Sequence, residues 1–96
     1  MTSSKIIALV IINNRGDNYM INVKVIGKII KKMRENKGLT QEVLSGLAGL
    51  DRTHYSKIER GLRSPTIETL FKIADALDIE PHEIMIEIEK SVNERM

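Results

Sequence analysis

The chain contains no cysteine, which excludes disulfide staples and thiolate metal sites and suits a reducing cytoplasm. Aromatic residues are only 3% of the total, too few to build platforms on which single-stranded bases stack. The longest apolar run, Ile6–Ile12, falls well short of the ~20 residues needed to cross a bilayer. No small-residue cleavage site follows it, so it does not read as a secretion signal and no membrane partner is expected. The only histidines, His54 and His82, stand apart without metal-ligand spacing. No Gly-rich phosphate loop, nucleophile elbow or paired-acid constellation is visible. No enzyme activity, cofactor or metal is expected, and there is no internal repeat or low-complexity segment.

What the chain does have is an uneven distribution of charge. The overall balance is +2 over 96 residues. From Met20 to Ala74, eleven Lys and Arg stand against five Asp and Glu, whereas from Asp75 to Met96 two stand against seven. The basic part suits a phosphate backbone; the acidic tail would be repelled by one and belongs away from it. A hydrophobic content of 42% fits one packed domain. A core of this size is modest, so support from a partner subunit is expected, with the five Met residues as core or interface fillers.

Residues 1–19 form an N-terminal extension, and residues 20–96 the main domain. In the extension, Lys5–Ile12 is rich in Ile and Val and reads as a β-strand, and Asn13–Asn18 reads as a turn or loop. Tyr19, Ile21, Val23 and Val25 alternate with polar residues and could continue as a second strand, yet Asn22 could equally cap a helix. Helix from about Val23 is favoured, because Ile26, Ile29, Ile30 and Met33 follow at helical spacing; it stops near Asn36, before Lys37-Gly38. A second helix is expected over Gln41–Ala48, a third over Arg52–Arg60 ending at Gly61, and a fourth capped by Thr66 with Ile67, Leu70, Ile73, Ala74 and Leu77 as its inner stripe. A fifth opens at Glu80-Pro81, with Ile84, Met85, Ile88 and Val92 on one face.

Helices two and three carry the chemistry. Thr40 and Asp51 are suited to cap them, Leu44 and Ala48 point inward, and Gly49 supplies the permissive backbone of the joint. With Tyr55 and Ile58 turned inside, helix three leaves Arg52, Thr53, Ser56 and Lys57 outside, with His54 beside them. These side chains can bond base edges or phosphates. Arg52, in the opening turn, can fork onto guanine, although pairing with Asp51 would explain it too. Thr53 can touch a thymine methyl or a phosphate, and Lys57 suits a phosphate. Arg60, Arg63 and Ser64 follow the helix and would track the sugar–phosphate chain. The Lys28, Lys31 and Lys32 cluster is more often an ordinary solvated face. An amphipathic pair could exist for packing alone, but the caps, joint and polar opening turn together favour a DNA-reading helix-turn-helix.

From about Ile26 to Ile86 the chain resembles Cro/repressor-type, or Xre-type, regulators. The matching residues are Met33-Arg34, Gly38-Leu39-Thr40-Gln41, Ala48-Gly49-Leu50, Ile58-Glu59-Arg60-Gly61, Pro65-Thr66-Ile67, and Leu70-Lys72-Ile73-Ala74-Ala76-Leu77. Within that family, Leu50-Asp51-Arg52-Thr53 with Ser56, Ile58, Glu59 and Arg60 is most similar to the controller proteins of restriction–modification systems. The resemblance implies an all-α, five-helix, lambda-repressor-like domain that acts as a dimer on an operator and times the endonuclease after the methyltransferase. It also implies a phosphate-contacting Gln41 and an ion pair between Arg34 and Glu59 that sets the angle of the reading helix. His54 departs from the pattern where Tyr is frequent, as does Tyr55 where an aliphatic is frequent; Ser45 and Gly46 are poor helix formers. The competing reading from another class is a protein-interaction module of the same fold, such as an antitoxin-like regulator. Double-stranded DNA and a second copy of the chain are the expected partners, RNA polymerase is a further candidate, and the cytoplasm is the expected location.

Apolar residues on more than one side of helix five predict a two-fold dimer through Ile79, Ile84, Ile86 and Ile88, with two reading helices about one DNA turn apart. Val43 and Leu47 put apolar side chains on the outer face of helix two. An ordered Lys5–Ile12 strand, in a hairpin closed by Asn13–Asn18 or paired across the dimer, could cover such a surface. The alternative is an arm without structural role, Met20 being a plausible start for a regulator of this type.

Overall fold

The structure, a computed structural model, describes residues 21–93. The expected strand Lys5–Ile12 and its hairpin lie outside the described residues. Among the described residues there are five helices and no strand: α1 (Val23–Asn36), α2 (Gln41–Ala48), α3 (Arg52–Glu59), α4 (Ile67–Leu77) and α5 (Pro81–Asn93).

Each of the first four helices begins on a side chain that accepts one of the otherwise unpaired N–H groups of the first turn. Asn22 Oδ1 accepts from Lys24 N at 2.9 Å, and Thr40 Oγ1 from Val43 N at 3.1 Å. Asp51 Oδ2 accepts from His54 N, and Thr66 Oγ1 from Thr69 N, both at 3.1 Å. A cap of this kind contributes about 1 kcal/mol, enough to decide where a short helix starts. Asn22 therefore serves as a helix cap, and the alternating pattern around it does not continue as a strand at Val23–Val25.

α2 ends at Gly49, which takes the left-handed conformation (φ 70°) and lets Leu50 N turn back onto Ser45 O at 2.8 Å. α4 ends the same way, with Ile79 N donating to Ala74 O at 3.0 Å, but there the left-handed residue is Asp78 (φ 59°). Asp tolerates that region better than most residues, yet less well than Gly.

The core is aliphatic, with one aromatic. α1 packs on α3 and α5, α2 packs on α3 and α4, and α4 packs on α5. Ile30, Leu44, Tyr55, Ile58, Ile73 and Ile84 have no exposure at the shared centre. Each such aliphatic side chain contributes about 1.5–3 kcal/mol when fully buried. Two expected inner positions are corrected. Ile67 is 68% exposed, because the first turn of α4 lies beyond the helices that cover Leu70–Leu77. Met85 is 42% exposed: following Ile84 directly, it is turned about 100° away from the core stripe.

Candidate nucleic-acid interface

The inner side of α3 is fixed by one carboxylate. Arg34 on α1 grips Glu59 with both faces of its fork: Nε donates to Oε2 at 2.6 Å and Nη2 to Oε1 at 3.1 Å. Gln41 at the start of α2 donates Nε2 to Oε1 at 2.8 Å, and the Tyr55 hydroxyl donates to Oε2. Arg34 Nη1 also donates to Leu39 O at 2.7 Å. A buried charge is tolerated when every lone pair has a donor, and this cluster meets that condition while joining α1, α2 and α3. Burial alone would raise the Glu59 carboxyl, but the hydrogen bonds from Arg34, Tyr55 and Gln41 outweigh it and hold the group below its ordinary value. The bond to Glu59 raises Arg34. Burial, then the bond to Glu59, pushes the Tyr55 phenol far up, so Tyr55 remains a donor.

α1 and α3 also touch backbone to backbone. A Cβ placed on Gly27 would sit 2.4 Å from Glu59 O and 2.5 Å from Ile58 O, closer than atoms can pack. Gly61, just past α3, has φ 75° and would place a Cβ 2.7 Å from Lys24 Cα. Sequence reasoning passed over Gly27; its signal was a Gly in the middle of an amphipathic helix, which usually marks a close approach.

With its inner side held, α3 presents the expected residues outward. Arg52 and Thr53 are exposed in the first turn, while His54, Ser56 and Lys57 are half-buried. Asp51 is occupied as the cap and has no hydrogen bond to Arg52 among the described contacts. Arg60, Arg63 and Ser64 are exposed in the segment that follows. Gln41 is half-buried, and its amide is already bonded to Glu59, so the remaining N–H is what it can offer to another group. Lys24, which sequence reasoning did not single out, is exposed on α1 directly against Gly61 and so borders the Arg60–Ser64 segment. Lys24, Arg60 and Arg63 thus gather cationic side chains past the end of α3, and Arg52 is exposed at its start, charges suited to phosphates.

The residues assigned to a dimer interface divide. Ile84 and Ile88 are 0% and 3% exposed inside this chain's own core, where they complete the packing of α5 on α1 and α4 and leave little surface for a partner. Ile86 is 42% exposed. Ile79 is partly buried against the core and lines a shallow recess with Phe71, Asp75, Glu80 and Pro81. Phe71, the only Phe of the chain, is 57% exposed. Phe71 and the partly buried Ile79 thus share one recess, and Ile86 is exposed on α5. Val43 and Leu47 are exposed on α2, as expected.

Comparison with known proteins agrees with this architecture. The family described as "Helix-turn-helix" matches residues 30–84. The control protein C.MunI of a Mycoplasma species is 40% identical over 73 residues, which take in 74% of this chain and 99% of that protein. The crystal structure of the restriction–modification controller protein C.AhdI from Aeromonas hydrophila superposes with a TM-score of 0.64 at 40% identity, covering 68% of this chain and 98% of the other. A point mutant of the controller C.Esp1396I, bound to its highest-affinity operator site, superposes with a TM-score of 0.69 at 34% identity over 76% of this chain and 96% of that one. The chain belongs to the helix-turn-helix family, of the Xre type, and has controller proteins of restriction–modification systems among its relatives.

Proposed function

We propose that the protein is a transcriptional regulator that binds an operator as a homodimer, with restriction–modification genes as its targets. The observation that carries this reading is the division of α3 into two sides. Tyr55, Ile58 and Glu59 are locked inside, while Arg52 and Thr53 stand free in the opening turn, the part of a reading helix that meets base edges. In this reading Arg52, Thr53, His54, Ser56 and Lys57 contact bases, with Arg52 on a guanine. Gln41, Arg60, Arg63 and Ser64 hold the backbone. The likeness to an operator-bound controller supports it. The dimer forms through Ile86 with Phe71 and Ile79, which leaves the reading surface free. RNA polymerase is the further partner if the regulator activates. The role is regulatory rather than catalytic, and it is exercised where the DNA is, in the cytoplasm. No described helix is long and apolar enough to cross a membrane.

The test is a gel-shift titration on the DNA just upstream of the protein's own gene, with salt varied. Tight binding there, binding of random DNA weaker by at least about a thousandfold, and a steep fall with salt are expected. Equal affinity for random DNA would overturn the reading. The exposed Val43 and Leu47 support the competing interaction module, whose mark would be weak, sequence-blind DNA binding beside tight capture of a protein partner.

A further inference from the structure

The flank of α5 carries an apolar groove of about 330 Å³, lined by Ile21, Met85, Ile88, Glu89 and Val92. Met85 and Val92 share this flank, two helical turns apart, and Met85 is 42% exposed. Ile86 points to a different side, so the groove is separate from the surface assigned to the dimer. We propose that the groove is a docking site for the chain's own N-terminal extension, occupied by the apolar segment Ile6–Ile12.

Three observations select this occupant. The described structure begins at Ile21, and Ile21 itself lines the groove at 47% exposure, so the extension is tethered at the groove's edge. Eight residues, Asn13–Met20, separate Ile12 from Ile21. At about 3.3 Å per residue they reach ~26 Å, whereas the Met85–Val92 stretch of α5 is only ~10 Å long. The tether is therefore long enough for the segment to turn back, and Asn13-Asn14-Arg15-Gly16-Asp17-Asn18 has the composition of a turn. The chain also has residues beyond the shared fold: C.AhdI is matched over 98% of its length yet covers only 68% of this chain. Seven consecutive apolar residues without cover invite association between chains. The exposed pair Val43 and Leu47 on α2 is the other apolar surface, and it serves as the control site in the test.

The absence of native cysteine makes the test direct. In the full chain, Ile7→Cys, Leu9→Cys and Ile11→Cys are each paired with Met85→Cys, and in parallel with Leu47→Cys, then oxidised. Circular dichroism checks that each variant is folded. For at least one of the three, the pair with Met85→Cys should close within one chain about tenfold faster than the pair with Leu47→Cys, as a short tether's millimolar effective concentration implies. Equal closure at Leu47→Cys, closure only between chains, or no closure would overturn the proposal. A second measurement is independent of disulfide geometry. Alkylation of the single variant Met85→Cys should be about tenfold slower in the full chain than after deletion of residues 1–19, as for a site covered most of the time; equal rates would overturn it. Neither measurement involves DNA, so the result is separate from the regulatory reading.

Discussion

Gln41 and Glu59 are joined by a hydrogen bond of 2.8 Å between Nε2 and Oε1. The first residue of α2 is thereby held by the last residue of α3. Glu59 is in turn held by Arg34 and Tyr55. The opening turn of α2 and the outer face of α3 thus share one fixed reference point. If both contact DNA, their separation is set before the DNA arrives, and less ordering remains to be paid on binding.

Glu59→Gln keeps the shape of this cluster and removes its charge. Leaving Arg34 buried without a counter-charge should destabilise the fold by about 3–5 kcal/mol at neutral pH. The native state holds the Glu59 carboxyl below its ordinary 4.5. Its contribution is therefore present above that value and is lost as acid protonates the folded form. Denaturant titrations at a series of pH values should show the gap between wild type and variant closing in acid. A gap that stays constant into strong acid would show that the charge of Glu59 does not stabilise the fold.

Gly27→Ala should destabilise by about 1–3 kcal/mol or more, although Ala is the better helix former. The added Cβ meets the backbone carbonyl of Glu59 at 2.4 Å, and backbone cannot step aside as a flexible side chain can. Gly46→Ala is the control: it lies in α2 with open space around the site and should stabilise by up to ~1 kcal/mol. Thermal melts that rank the two the other way would contradict the close approach.

Asp78→Gly should raise stability by roughly 0.5–1 kcal/mol. The left-handed backbone at φ 59° costs a non-Gly residue about 1–2 kcal/mol, offset in part by the greater unfolded-state freedom of Gly. Removing a negative charge from the negative end of α4 adds in the same direction. An unchanged or lower melting temperature would show that Asp78 makes a compensating contact.

Arg52→Ala should weaken operator binding by about 1–3 kcal/mol and relax preference at one base pair per half-site. Arg63→Ala should weaken all sequences alike and flatten the salt dependence. Titrations on operator and random DNA at several salt concentrations separate the two patterns. If both variants lose specific and random binding by the same factor, Arg52 is not a base reader.

The helices were legible because their signals are local. Asn22, Thr40, Asp51 and Thr66 announce starts, Gly49 announces a stop, and the inward sides of α1–α4 follow the 3.6 period from Ile26 to Leu77. Gly27 was overlooked because its reason lies thirty-odd residues away, at the carbonyl of Glu59. The Tyr55–Glu59 bond was missed although the Arg34–Glu59 pair was expected: periodicity puts the Tyr55 ring on the inner side and does not say where its hydroxyl ends. Ile84 and Ile88 were assigned to the dimer because α5 has apolar residues on several sides, and periodicity does not say which side faces the chain's own core.

The contact of Gly27 with the Glu59 carbonyl has a consequence for how a complex would accommodate imperfect fit. Two backbones this close cannot be pressed nearer, and with Glu59 held by Arg34 beside them α3 is braced against tilting toward α1. Adjustment between two half-sites must then come from the double helix, through local kinks and changes in groove width, and stiffness differs among base steps. If the protein binds as the proposed dimer, operators that differ only at central base pairs it never touches should therefore differ in affinity.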